Sequence, residues 1–89
     1  MKNLELLGGF KKDLKRIKKR GWDRSKLDAI VTMLRTSEPL PINARPHKLT
    51  GEWLGFWECH IAPDWLLIYD VSDTTILLAG TGTHADLFE

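Results

Sequence analysis

Residues 65–69 read Trp-Leu-Leu-Ile-Tyr, an unbroken apolar run closed at both ends by turn signals. A run without polar alternation suits a central strand covered on both faces. Such a strand needs a neighbour on each edge, and the flanking sequence supplies both. Upstream, Trp53, Trp57 and Cys59 alternate with Leu54, Phe56 and His60, which predicts a strand over 53–60. Ala62-Pro63-Asp64 then suits a tight turn, with proline favoured at its second position. Downstream, Ser72-Asp73 marks a second turn and Ile76-Leu77-Leu78-Ala79 a third strand. Two short turns join three strands into an antiparallel meander.

The N-terminal half follows a different period. Leu4 and Leu6 alternate weakly, so residues 2–7 suit a short edge strand. Phe10, Leu14 and Ile17 recur at helical spacing over 9–20, and Gly21 ends that helix. Asp23 or Ser25 can cap a second helix whose buried stripe is Leu27, Ile30, Val31 and Leu34, running to about Glu38. Pro39, Pro41 and Pro46 keep 39–46 extended or looped. Thr83-His84-Ala85-Asp86 has capping-box spacing, with Asp in place of Glu or Gln, and predicts one helical turn. These elements make one α+β domain over 1–89, with a modest core at this length.

A single cysteine forms no internal disulfide, which fits a reducing cytosol. No apolar run reaches the length of a membrane span, and the N-terminus lacks a signal peptide's apolar region. The expectation is a cytoplasmic protein without a membrane partner. Its net charge of +1 hides an asymmetry. Residues 10–20 carry Lys11, Lys12, Lys15, Arg16, Lys18, Lys19 and Arg20 against Asp13 alone, a net of +6. The remaining 78 residues sum to −5. So dense a patch can bind phosphates or an acidic protein surface; its other reading is a solvated helix face.

Three histidines carry the chemistry. In the meander, strand 53–60 ends where strand 65–70 begins, and strand 75–80 returns to that same end. His60, Asp64 and His84 therefore converge. His47 precedes the strand that ends at His60, so a straight path places it at the far end; only the loop could bring it back. Imidazoles beside a carboxylate suit general acid–base work near neutral pH. RNA cleavage by its own 2′-hydroxyl needs a base for that proton, an acid for the 5′ oxygen, and positive charge on the phosphorane. Trp65 and Phe88 could stack on bases, and Arg45 and Lys48 are local cations.

Every one of these residues also has a structural reading. The histidines could simply hydrogen-bond, and Asp64 could only shape its turn. Histidines with Asp64 could bind a transition metal, but spacings of 13 and 24 residues match no local zinc motif. Cys59 lies mid-strand, as a core residue would, and Trp53, Trp57 and Trp65 are of a type that more often packs than stacks on bases.

The motifs His47-Lys48-Leu49-Thr50-Gly51, Glu58-Cys59-His60-Ile61-Ala62-Pro63-Asp64-Trp65-Leu66-Leu67-Ile68-Tyr69 and Thr81-Gly82-Thr83-His84-Ala85-Asp86-Leu87-Phe88 resemble the YafQ branch of the RelE-like bacterial toxins. The resemblance spans almost the whole chain, including the basic helix and the proline-rich loop. It implies a RelE-like, microbial ribonuclease-like fold, with two helices packed on a twisted antiparallel sheet. It implies an endoribonuclease that cuts mRNA in the ribosomal A site, without metal or cofactor, by the 2′-hydroxyl route. It also implies a cognate DinJ-like antitoxin that silences the toxin, in a heterotetramer that binds operator DNA through the antitoxin. Carried over by motif, the catalytic residues are His47, His60, Asp64 and His84, and the supporting aromatics are Trp65 and Phe88.

Two positions depart from that pattern. The family's usual arginine before Thr-Gly-Thr-His is Gly80 here, and the arginine often found before Glu-Cys-His is Trp57. Arginine at position 80 would be a clamp for the scissile phosphate. Its loss predicts attenuated cleavage, or a silent homologue that binds antitoxin and ribosome. Alternatively, Gly80 ends its strand in a conformation that only glycine tolerates.

Overall fold

The computed structural model describes residues 1–89. In chain order the elements are β1 (Asn3–Leu6), α1 (Gly8–Lys19), α2 (Arg24–Arg35), β2 (His47–Lys48), β3 (Trp57–Ala62), β4 (Trp65–Val71), β5 (Thr75–Gly82) and α3 (His84–Phe88). One-turn 3-10 helices lie at Ile42–Ala44 and Gly51–Trp53. The five strands form one sheet in the order β1-β5-β4-β3-β2. The meander is as the turns predict, but the sheet is mixed, because β1 lies parallel to β5. No hairpin joins β1 to its neighbour; the chain between them runs through both long helices, so nothing imposes an antiparallel pairing.

Each long helix ends on a left-handed residue. Gly21 (φ +74°) closes α1, where Trp22 N–H donates to Ile17 C=O at 3.2 Å and Gly21 N–H to Lys18 C=O at 3.1 Å. Ser37 (φ +59°) does the same for α2, with Glu38 N–H on Met33 C=O at 2.9 Å. Both are Schellman closures. They place the end of α2 at Arg35, three residues short of the predicted Glu38. Asp23 caps α2 by accepting from Ser25 N–H at 3.0 Å. The strand predicted over 53–60 begins only at Trp57, because a 3-10 turn and Gly55 at φ +95° interrupt its first half.

Packing follows strand alternation. Trp65, Leu67 and Tyr69 join Cys59, Ile76 and Leu78 against Phe10, Ile17, Leu27, Ile30 and Val31 of α1 and α2. On the opposite face, Leu66 and Ile68 are fully buried as well. The β4–β5 register shifts between Ile68 and Tyr69, leaving Ala79 as an extra residue of β5. At the same place β1 stops, since its last partner is Leu78. Beyond it α1 closes the exposed edge, where Asp13 Oδ2 accepts from Thr81 N–H at 3.1 Å. The Thr81 hydroxyl donates to Leu66 C=O at 2.7 Å and accepts from Trp65 Nε1–H at 2.8 Å, all within the interior.

Thr81→Val keeps the side chain's shape but strands the Trp65 indole N–H. The expected cost is about 1–3 kcal/mol, the penalty of a buried unpaired donor, read as a lower midpoint in urea with unchanged slope. An unchanged midpoint would show that the bond contributes nothing.

Candidate active site

The face of the sheet opposite the long helices carries the histidines. Register places His60, Leu66 and Gly82 in one cross-strand row, and His47, Glu58, Ile68 and Gly80 in the next. His47 is therefore beside Glu58, two residues from His60, and not at the far end. The loop 49–56 reverses the chain between β2 and β3, with Gly51 (φ +66°) and Gly55 in conformations that side chains resist. His47 faces two oxygens: Nδ1 lies 3.0 Å from Arg45 C=O and Nε2 lies 3.4 Å from Glu58 Oε1.

His60 and His84 are adjacent, with ring centroids 6.5 Å apart. His60 is half-buried at the end of β3, and its Nδ1 is enclosed without a hydrogen-bond partner. His84 is the first residue of α3 and is exposed. Asp64, exposed in the β3–β4 turn, accepts from His84 N–H at 3.1 Å, and the same oxygen lies 3.6 Å from His84 Nδ1. The turn carboxylate thus ties the first residue of α3 to the end of β3. Phe88, one turn along, stands 5.7 Å from the His84 ring and is 40% exposed.

Trp65 is different. It is 4% exposed, packs 5.0 Å from Trp22 and spends its indole N–H on Thr81. Its ring is core and is closed to a stacking base, which corrects the stacking role read from the sequence. Cys59 is also core, as expected, and burial, with the Glu58 charge beside it, pushes its thiol up to about 12. Lys48 Nζ lies 5.6 Å over the Trp57 ring, and Arg45 sits in the left-handed region at φ +44°. No three His, Cys, Asp or Glu side chains gather around a point where they could hold a metal ion.

The basic patch divides. Lys11, Lys12, Lys15, Lys18 and Lys19 are exposed. Arg20 instead grips Asp86 of α3 with two bonds of 2.6 and 2.9 Å, and Arg16 Nη1 lies 3.5 Å from Asp13 and 3.7 Å from Asp86. Asp86 also accepts from Thr83 N–H at 2.9 Å while Thr83 Oγ1 accepts from Asp86 N–H at 3.1 Å, the reciprocal cap that the sequence spacing predicted. The Arg20 bonds hold the Asp86 carboxyl far below the ordinary carboxylate range. Burial pushes Asp13 the other way, upward.

Gly80 lies within β5, not at its end, and has no left-handed φ. Backbone freedom therefore does not explain it. A Cβ there would meet Leu87 Cδ2 at 3.2 Å and Asp13 Oδ2 at 3.4 Å, so the missing side chain makes room for α3. Gly82 is the constrained one: its φ is +153° and a Cβ would come within 2.7 Å of Asp86 Oδ2. Sequence reasoning missed Glu58 and the Arg20–Asp86 brace. Glu58 was accessible from its spacing, since residues 58 and 60 of one strand share a face. The brace spans 66 residues and leaves no local trace.

Fold and site together define a small α+β domain with helices on one sheet face and a histidine cluster on the other. Residues 2–89 match the family described as the bacterial toxin of type II toxin–antitoxin systems, YafQ. The mRNA interferase toxin YafQ of Escherichia coli K12 is 40% identical over 88 residues, 98% of this chain and 96% of that protein. The crystal structure of YafQ from E. coli BL21(DE3) superposes with a TM-score of 0.93 at 38% identity, covering both chains completely. The E. coli DinJ–YafQ complex gives 0.90 at 39% identity over the same extent. The chain belongs to the YafQ family of type II toxins.

A carboxyl depressed by its partners stabilises the fold fully above its unfolded value, and that stability is lost as pH falls toward the folded one. Asp86→Asn should therefore melt lower than the parent at neutral pH, and the gap should narrow below about pH 4. A gap that stays constant to pH 2 would mean that the carboxylate's charge is not what holds α3.

Proposed function

We propose that this chain is a ribosome-dependent endoribonuclease, an mRNA interferase that uses its histidine cluster without metal and is attenuated by Gly80. The observation that carries this reading is the pairing of His60 and His84, 6.5 Å apart on the sheet face opposite the long helices, with Asp64 bonded to His84. Two imidazoles there can divide the proton work, one taking the 2′ proton and the other protonating the 5′ oxygen. His47, with Glu58 and Arg45 C=O beside its two nitrogens, is a third imidazole fixed in the next row of the sheet. Phe88 offers a partly exposed ring for a base. Relatives that are mRNA interferases, over nearly the full chain, support the substrate class.

The DinJ–YafQ complexes support a DinJ-like antitoxin as partner; a heterotetramer that binds operator DNA through the antitoxin is part of the same proposal. The five exposed lysines of α1 suit ribosomal RNA phosphates or an acidic antitoxin segment. No helix is long and apolar enough to cross a membrane, and the proposed site of action is the cytoplasm.

His60→Gln and His84→Gln should each lower cleavage of ribosome-bound mRNA by about 10²–10⁴ with little change in melting. A chelator should leave the parent's rate unchanged. Parent-like cleavage by both variants would remove the acid–base assignment, and chelator sensitivity would favour a metal-dependent hydrolase.

Gly80 favours a second reading, a silent toxin homologue that binds antitoxin and ribosome without cutting. Its row of the sheet offers a phosphate no charge between Ile68 and the α1 edge. Gly80→Arg needs Leu87 to shift by a few tenths of an ångström. Growth arrest at fixed antitoxin level should increase, and lysine should restore less because it lacks the planar fork. No gain in arrest with melting intact would support the binding role.

A further inference from the structure

His60 opens on its outer side onto a cleft of about 190 Å³, lined by Asn43, Arg45, Ile61, Ala62 and Pro63. We infer that this cleft is a subsite for one nucleotide of the RNA beside the cut, with Asn43 reading the base edge and Arg45 holding the phosphate. The inference rests on the cleavage reading above and names the recognition that reading lacks.

Three observations carry it. The cleft adjoins a histidine of the cluster, so whatever fills it lies next to the reacting phosphate. Its walls combine an apolar floor, Ile61-Ala62-Pro63, with an amide and a guanidinium, the chemistry of a flat heterocycle joined to an anion. Both polar side chains are exposed, and neither has a hydrogen-bond or ion-pair partner within the chain.

The segment is also built, not loose. Ala44, 1% exposed, anchors the 3-10 turn between its two polar neighbours. Arg45 then closes that turn in the left-handed region, at φ +44°, ψ +59°. Its carbonyl meets His47 Nδ1 as a result. One backbone kink therefore orients a histidine of the cluster and presents a guanidinium beside another. The Asn43 amide can pair with an adenine edge, donating and accepting at once, while Arg45 neutralises a phosphate oxygen irrespective of sequence.

The test maps cut sites of the full-length toxin on ribosome-bound mRNA by sequencing new 5′ ends. Asn43→Ala should flatten the sequence preference at one position beside the cut, by about 5- to 100-fold in the discrimination ratio. Asn43→Asp, which reverses donor and acceptor, should redirect that preference. Arg45→Ala should slow cleavage by a similar factor at every sequence and lessen the salt dependence by one phosphate contact. Unchanged preference in both Asn43 variants, with cleavage intact, overturns the subsite and leaves the enzyme reading standing. Should the parent cut nothing, titration of the same toxin with 2′-deoxy trinucleotides decides. A shifted Asn43 side-chain amide resonance then supports the subsite, and an unmoved one overturns it.

Discussion

From Trp65 to Tyr69, β4 has no side that faces water. Trp65 to Tyr69 are all nearly or fully buried, odd residues against the long helices and even residues against the opposite face. A strand of this kind fixes much else. Both its edges must be paired, which β3 and β5 do through turns too short to permit any but antiparallel neighbours. Both its faces must be covered, which requires helices on one and α3 with its approach on the other. The histidine cluster sits at the end of β4 because every element that covers or pairs β4 must turn there.

That dependence explains what the sequence disclosed. The apolar run, the Pro63-Asp64 turn and the alternation through Cys59 and His60 are local signals, and they place His60, Asp64 and His84 together. The Thr83–Asp86 cap was equally local. Three features were not. β1 takes its direction from a connection more than sixty residues long. His47 is returned by two positive-φ glycines whose φ only the fold reveals. Trp65 looks, as a residue type, like a stacking platform, yet its position on the covered face makes it core. In each case the sequence names the residue, while distant packing decides its surroundings.

The cations show the same division between local and distant causes. Seven basic side chains on one helix look like one electrostatic surface. In the folded chain Arg16 and Arg20 turn toward Asp13 and Asp86, and only the lysines remain for partners. The arginines are the better choice for the brace, because a planar fork holds a carboxylate at two points. Lysines suit the outer face, where a flexible point charge can follow an irregular array of phosphates.

The brace has a consequence for the site. α3 is five residues long, too short to persist by itself. It holds its place because Arg20 grips Asp86, Gly82 lets that carboxylate approach the strand, Gly80 admits Leu87, and Asp64 takes the His84 N–H. Glycine at 80 and aspartate at 86 therefore belong to one packing solution. Leu87 occupies the space beside β5 where a larger side chain would begin, and Asp86 recruits the α1 arginines that hold the helix down. The fixed cations on the other wall of the cluster are Arg45 and Lys48, along β2 and the kink before it. His84 is thus held from the α1 side through α3, while Arg45 and Lys48 belong to the β2 side.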